Sequence, residues 1–339
     1  MKHWLDVIKE ERESREKLKP DDLCTYGVAC LDDPLKVIMP NDLILIGADS
    51  GAGKSEIALQ IAIHNARRGK HIAFYYFEGG ESEAVARLKW QYICELYYAE
   101  YFHENIDMDF SLWRANMLDK KDVIAEIENR VQDEFLKIKG LIFFYEINEG
   151  LKIEAVLGSL MEFHSLENAI RGGFYGEGNK LMIDLIIIDH LQYFELSGGK
   201  TEIEETTQIL KEVKKITNVF NTPIILISHL RKKDRERGLP DQEDFYGSSN
   251  APKISTVAIM ISNVYLTDFS GHLYPTFFRI VKSRQGIKPY YAMRTNFDIK
   301  RREYEKEYQV YPVNNLGKTT AEPLPTDKLP KWAKRKEPT

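Results

Sequence analysis

The sequence predicts an α/β fold: a mainly parallel central sheet with helices on both faces. Short apolar runs alternate with amphipathic helical stretches, the pattern of repeated βαβ units. The first run, Leu43-Ile44-Leu45-Ile46, stops at a glycine-rich turn, Gly47-Ala48-Asp49-Ser50-Gly51-Ala52-Gly53. That turn ends in Lys54-Ser55 and opens a helix. Several apolar runs end in polar residues. Parallel order brings such ends to one sheet edge, where open α/β sheets bind their ligands.

The elements follow in order. Residues 2–19 are highly charged, with Trp4, Leu5 and Ile8 as sparse apolar points before Pro20; they predict a short helix with little face to bury alone. Residues 23–40, with Pro34 and Pro40, read as connective. A strand (43–46) and a helix (55–68) flank the glycine-rich turn, and Gly69 is placed to stop the helix. A second strand, 71–77, ends at Glu78. Helical pattern returns over 82–102, where Trp90, Ile93, Leu96 and Tyr97 form a packing stripe. It returns again over 121–139 through Ile124, Ile127, Val131 and Phe135. A third strand, 141–145, precedes a helix at 152–164 and an exposed glycine-rich loop at 171–180. The most apolar strand, 181–188, ends at Asp189. A polar loop (196–204) leads to a helix over 205–220, with Ile209, Val213, Ile216 and Phe220 on one face. The strand 222–228 runs into His229. A charged loop over 231–243 precedes strands at 256–262 and 276–283 and extended segments to about residue 311. From Asn314 the chain is Pro-, Lys- and Thr-rich, which predicts disorder. The expected organisation is an arm (1–22), one α/β domain (23–312) and a basic tail (313–339).

Composition narrows the class. The chain has 339 residues, 43% hydrophobic and 29% charged, as in ordinary globular proteins. A net charge of −5 excludes global attraction to nucleic acid or anionic membrane and leaves room for a local binding loop. Cys24, Cys30 and Cys94 form neither a metal-ligand spacing nor an even disulfide set, and they fit a reducing cytosol. The N-terminus is too charged for a signal peptide, and no apolar run reaches the roughly 18 residues a membrane span needs. The expectation is a soluble cytoplasmic protein with no membrane segment.

The motif at 47–55 is a phosphate-binding loop in its proper context of strand, loop and helix. Loop amides and the helix N-terminus offer partial positive charge to phosphates. The expected nucleotide-binding residues are Gly47, Ala48, Asp49, Ser50, Gly51, Ala52, Gly53, Lys54, Ser55 and Glu56. Lys54 would reach the β/γ-phosphates of ATP, and the Ser55 hydroxyl would ligate Mg²⁺. The usual pattern has glycine at position 48. Alanine is tolerable there if its φ is negative. Asp189, after Leu185-Ile186-Ile187-Ile188, fits the second nucleotide-binding motif, with its carboxylate on Mg²⁺. Glu78 is placed to polarise the attacking water as general base. His229 is a candidate γ-phosphate sensor through a donated hydrogen bond. Arg284, in Lys282-Ser283-Arg284-Gln285-Gly286, is a candidate to complete a neighbouring subunit's site.

This order of motifs resembles the motor domain of DnaB-type replicative helicases, the RecA-like ring helicases that include the phage and Twinkle-like branch. The resemblance covers roughly residues 25–300. Phe77-Glu78-Gly79-Gly80-Glu81, with Arg87 following, is similar to the family's "SLEM…R", in which the glutamate is the catalytic base. Ile188-Asp189-His190-Leu191-Gln192 is similar to "IDYLQ", and Ile227-Ser228-His229-Leu230 to the phage branch's "SHL". Asp244-Phe245-Tyr246-Gly247-Ser248-Ser249 resembles "DLRGSG", and Lys282–Gly286 resembles "KNRNG". Alanine at position 48 is common in the family.

The resemblance implies a RecA-like P-loop NTPase fold and a homo-hexameric ring. It implies ATP hydrolysis with Mg²⁺ and movement on single-stranded DNA. It also implies that Lys282 and Arg284 act in trans on the neighbour's nucleotide. DNA-contacting loops are expected at about 196–206 and 244–252, with Arg231, Lys232, Lys233, Arg235 and Arg237 as a further contact. A loader, primase or other replication protein is an expected partner. Neither the family's helical N-terminal domain nor a primase domain is expected in this sequence, and residues 2–19 match the position of the family's linker helix. These departures favour a phage, plasmid or mobile-element helicase over a chromosomal one. The alternative expectation is a RecA-like regulatory or loading ATPase that switches a partner without unwinding DNA.

Overall fold

The computed structural model describes residues 3–49, 51–77, 79–145, 152–170, 183–195, 201–231, 238–245, 251–263 and 271–334. The order is α1 (Trp4–Lys17), α2 (Ala29–Leu35), β1 (Leu43–Ala48), α3 (Lys54–Arg67), β2 (Ile72–Tyr76), α4 (Gly80–Leu96), α5 (Phe110–Arg114), α6 (Lys121–Lys137), β3 (Ile142–Tyr145), α7 (Ile153–Ile170), β4 (Leu185–Asp189), α8 (Glu202–Phe220), β5 (Ile224–His229), α9 (Ala251–Ile254), β6 (Val257–Asn263), β7 (Leu273–Ser283), β8 (Tyr291–Asp298), β9 (Glu303–Tyr304) and β10 (Gln309–Pro312). Among the described residues, no helix is long and apolar enough to cross a membrane.

One sheet runs β10-β8-β7-β6-β1-β5-β4-β2-β3, with β9 paired to β8. The six strands from β6 to β3 are parallel. The remaining four add antiparallel pairs at the β6 side. The central strands are apolar throughout because both faces are covered. Ile44, Ile46, Phe74, Ile187 and Ile225 face the core shared with Ile57 and Ile61 of α3, Trp90 of α4 and Ile127 of α6. Leu43, Leu45, Tyr75, Ile186 and Leu226 face the opposite core, with Val156 of α7 and Val213 and Ile216 of α8.

Local chemistry moves several boundaries. Helix α8 begins at residue 202, inside the expected polar loop, because Thr201 caps it. The Thr201 hydroxyl accepts from the Glu204 amide (3.3 Å), and the Glu204 carboxylate accepts from the Thr201 amide (3.0 Å). The stretch read as connective contains α2, which buries Leu31 and Leu35 despite Pro34. The helix at 152–164 extends to Ile170.

The tail differs from the expectation of disorder. Val313 bridges Thr319, and the Leu324 amide donates to Val310 of β10 (2.7 Å). The Trp332 ring packs against the first core, with its centroid 6.1 Å from that of Tyr291. A few backbone bonds and one large aromatic hold an extended segment whose composition alone suggests none. Trp332 of the basic tail is therefore engaged within the chain, and Arg335 and Lys336 lie outside the described residues.

Ile216, on the α8 face against the sheet, tests the second core. Ile216→Ala is expected to lower stability by about 2–5 kcal/mol in urea unfolding. A loss below about 1 kcal/mol would place this face outside the core.

Candidate nucleotide-binding site

Strand β1 sits between β5 and β6, with Ala48 in register with His229 on one side and Ile261 on the other. Its last residues differ in what they tolerate. A methyl on Gly47 would meet Leu230 Cδ2 and Phe245 Cε1 at 2.6 Å, so packing demands glycine there. Ala48 is fully buried in the strand and lies outside the left-handed region, so its methyl carries no backbone strain. The alanine at the usual glycine position is thus accommodated by strand geometry.

Beyond Ala48 the turn needs two left-handed residues, and glycine supplies both: Gly51 (φ 78°) and Gly53 (φ 81°), the latter as N-cap of α3. The Ala52 amide closes the turn onto the Asp49 carbonyl (3.1 Å). Lys54, Ser55 and Glu56 form the first turn of α3, where helix amides lack intrahelical acceptors and attract anions. Ser50 lies outside the described residues.

The rear of the loop is held by groups that local sequence did not flag. The Tyr304 hydroxyl donates to the carbonyls of Ala52 (3.2 Å) and Gly53 (3.4 Å), and Asn263 Nδ2 donates to the Gly51 carbonyl (3.3 Å). Fixing these carbonyls on one side fixes the peptide planes, and so the direction of the amides. Burial raises the Tyr304 pKa, so it stays a neutral donor. Glu56 turns its carboxylate away from the loop. It accepts from Arg87 Nη1 (2.7 Å) and Arg302 Nε (3.0 Å), and Arg87 also bonds Glu83 (3.0 Å). The Glu56 side chain therefore ties α3 to α4 and to the β8–β9 hairpin, leaving only its backbone amide for the expected phosphate role. Tyr304 and Arg302 lie about 250 residues from the loop, and no local motif marks them.

The other strand ends converge on the same edge. Asp189, fully buried, closes β4 opposite Tyr76 of β2, and the Phe77 amide donates to the Asp189 carbonyl (3.2 Å). Glu78 comes next in the chain and lies outside the described residues. His229 closes β5, between β1 and β4. Its Nε2 stands 3.2 Å from Nε2 of His190, and its amide donates to Gln192 Oε1 (3.2 Å). The Ser55 hydroxyl and the Asp189 carboxylate are hard oxygen donors, which suits Mg²⁺.

Arg284 is not part of this cluster. Ser283 of β7 pairs with Val257 of β6, and the Arg284 amide donates to the Thr256 carbonyl (3.1 Å). Thr256 in turn hydrogen-bonds Leu43, the first residue of β1. Arg284 therefore leaves the sheet where β1 begins, and the phosphate loop leaves it where β1 ends. At about 3.3 Å per residue these points stand roughly 16 Å apart. The Arg284 side chain is exposed. Lys282 departs from its expected role. Its ammonium donates to the carbonyls of Pro252, Lys253 (2.9 Å) and Ser255 (2.6 Å), at the C-terminal end of α9. All three of its donors are used, so Lys282 builds the turn that presents Arg284. Burial, and then the adjacent Arg284, lower its pKa.

The expected DNA loops are seen only in part. Asp244 and Phe245 are buried, with Leu230 bridging Phe245, while 196–200, 232–237 and 246–250 lie outside the described residues.

No known protein-family model matches the chain. Its sequence is similar to a probable plasmid replicative DNA helicase of Chlamydia psittaci, 20% identical over 230 residues, covering 66% of this chain and 43% of that protein. It is also similar to a probable replicative DNA helicase of Trieres chinensis, 24% identical over 214 residues, covering 62% and 40%. The chain thus spans less than half the length of these curated relatives. Among solved structures, a DnaB-like replicative helicase studied with its interactions with primase superposes with a TM-score of 0.65 at 16% identity, over 88% of this chain and 65% of that one. The ATPase domain of G40P gives 0.65 at 14% identity, over 90% and 98%. The chain shares the RecA-like fold of these DnaB-like ATPase domains.

Tyr304→Phe removes one hydroxyl from behind the loop and leaves the ring packed. Nucleotide Kd is expected to rise about tenfold, or roughly 1.4 kcal/mol, at unchanged circular dichroism. An unchanged Kd would show that the loop holds its shape without the tyrosine.

Proposed function

We propose that this chain is the motor of a DnaB-like helicase, a homo-hexameric ring that hydrolyses ATP with Mg²⁺ and couples hydrolysis to movement along single-stranded DNA. Its context is replication of a phage, plasmid or other mobile element. The observation that carries the reading is the separation of the two halves of the chemistry. The phosphate loop, Asp189 and His229 gather at one end of the sheet's central strands, and Arg284 stands exposed at the other. Such a chain completes a site only when its Arg284 meets the nucleotide of a neighbour, as in a closed ring.

In this reading the loop and α3 amides hold the phosphates, and Lys54 balances β/γ charge. Ser55 and Asp189 would hold Mg²⁺, which when bound would neutralise phosphate charge. Glu78 orients the attacking water and takes its proton. His229 donates to the γ-phosphate, and Arg284 of the adjacent subunit stabilises the transition-state charge. A net charge of −5 is compatible with DNA binding if backbone amides in the loops hold the phosphates. Such a motor is expected to contact a loader, a primase or another replication protein.

Arg284→Ala is expected to lower hydrolysis by about a thousandfold or more, with nucleotide Kd changed less than about twofold. Lys54→Ala is expected to lose nucleotide affinity. Mixing the two inactive variants restores partial activity, because some interfaces then join an intact loop to an intact arginine. No recovery on mixing would place Arg284 outside a shared site. Hydrolysis with and without single-stranded DNA, followed by unwinding of a forked duplex, separates a motor from an ATPase that only switches a partner.

A further inference from the structure

The family resemblance has tyrosine where this chain has His190, and the structure gives that histidine a definite set of neighbours. His190 caps the short turn Leu191–Tyr193, and its Nδ1 accepts from the Gln192 amide at 3.3 Å. A backbone amide can only donate, so Nδ1 carries a lone pair. A neutral imidazole has one N–H, which must then sit on Nε2. That nitrogen stands 3.2 Å from Nε2 of His229. His190 is therefore the donor of the pair and His229 the acceptor. The remaining proton of His229 is on Nδ1.

The surroundings hold this arrangement. His190 is buried, with the Tyr193 ring centroid at 4.5 Å and the His229 ring at 4.4 Å in an edge-on contact of 77°. Gln192 fixes the other side. Its Oε1 accepts from the His229 amide (3.2 Å), and its Nε2 donates to Ser228 Oγ (3.2 Å). The Ser228 hydroxyl donates to the His229 carbonyl (3.1 Å). The turn that follows Asp189 thus grips the end of β5 through both backbone and side chain.

We propose that His190 is a positioning residue that sets the tautomer of His229, so that the sensor donates from Nδ1 while its Nε2 is held by His190. This deepens the proposed site and rests on the reading of His229 as a γ-phosphate sensor. It also ties the sensor to the metal strand: His190 follows Asp189 directly, so a shift at the end of β4 is passed to the His229 ring through one hydrogen bond.

The test is histidine-selective ¹⁵N NMR on the full chain, with assignment by single substitutions. The expected spectrum shows His190 protonated at Nε2 and His229 at Nδ1. His190→Phe keeps a ring and removes the donor; His229 is then expected to move toward Nε2–H. Hydrolysis should fall by roughly ten- to a hundredfold with nucleotide Kd within about twofold. In His190→Gln the side-chain amide can replace the Nε2–H donor, and both tautomer and rate are expected to recover in large part. His229 found as Nε2–H in the unsubstituted protein overturns the proposal, whatever the activity. Equal rate loss in the Phe and Gln variants also overturns it. The sensor reading fails separately: a normal rate in His229→Leu, which has no donor, removes it and leaves the tautomer assignment standing.

Discussion

The position of β1 is the constraint on which the rest of the site depends. The strand is buried on both faces and hydrogen-bonded along both edges, by β5 and by β6. A shift of one residue would turn Ile44 and Ile46 to the wrong core and drive Gly47 out of the one place where a Cβ cannot fit. Register therefore fixes where the chain leaves the sheet to form the phosphate loop. The same strand marks the opposite end through Leu43 and Thr256, where Arg284 emerges. One buried strand spaces the two halves of the proposed shared site.

Much of this was legible because its signals are local. The parallel sheet is written in apolar runs that lack alternation, since both faces are covered. The loop is written in two glycines that only left-handed backbone needs. The convergence of Asp189 and His229 follows from parallel order once the strands are recognised. What was not legible depends on distant pairing. Tyr304 reads as one aromatic in a polar stretch, yet its hydroxyl lies behind Ala52 and Gly53. Lys282 reads as half of a basic motif, yet three carbonyls of a helix end take its donors. The tail reads as disordered by composition, because composition does not reveal that the Leu324 amide bonds Val310 or that Trp332 packs against the core.

The loop is also bound to its surroundings by charge. The Glu56 carboxylate lies between Arg87 of α4 and Arg302 of the β8–β9 hairpin, and it is largely buried. A buried carboxylate is costly without partners, and here each partner arrives on a different element. The hairpin is anchored in turn. Trp90 Nε1 donates to the Lys300 carbonyl (2.6 Å), Gln91 Nε2 donates to that of Arg302 (2.6 Å), and the Tyr304 amide donates to Gln60 Oε1 (3.0 Å). Helices α3 and α4 and the hairpin therefore form one cross-braced unit around the first turn of α3.

That brace bears on the chemistry through α4. The helix begins at Gly80, two residues after Glu78, and Arg87 stands two turns along it. Arg87 bonds Glu56, and Glu56 follows Lys54 and Ser55 in the first turn of α3. The first turn of α3, which carries the proposed phosphate-binding lysine, is thus tied to α4 by the Arg87–Glu56 ion pair. An arginine nine residues after the glutamate, which the motif alone leaves without a task, gains one from this geometry. It ties α4 to the first turn of α3, so that in the proposed mechanism the helix that follows Glu78 and the helix that begins at Lys54 share one frame.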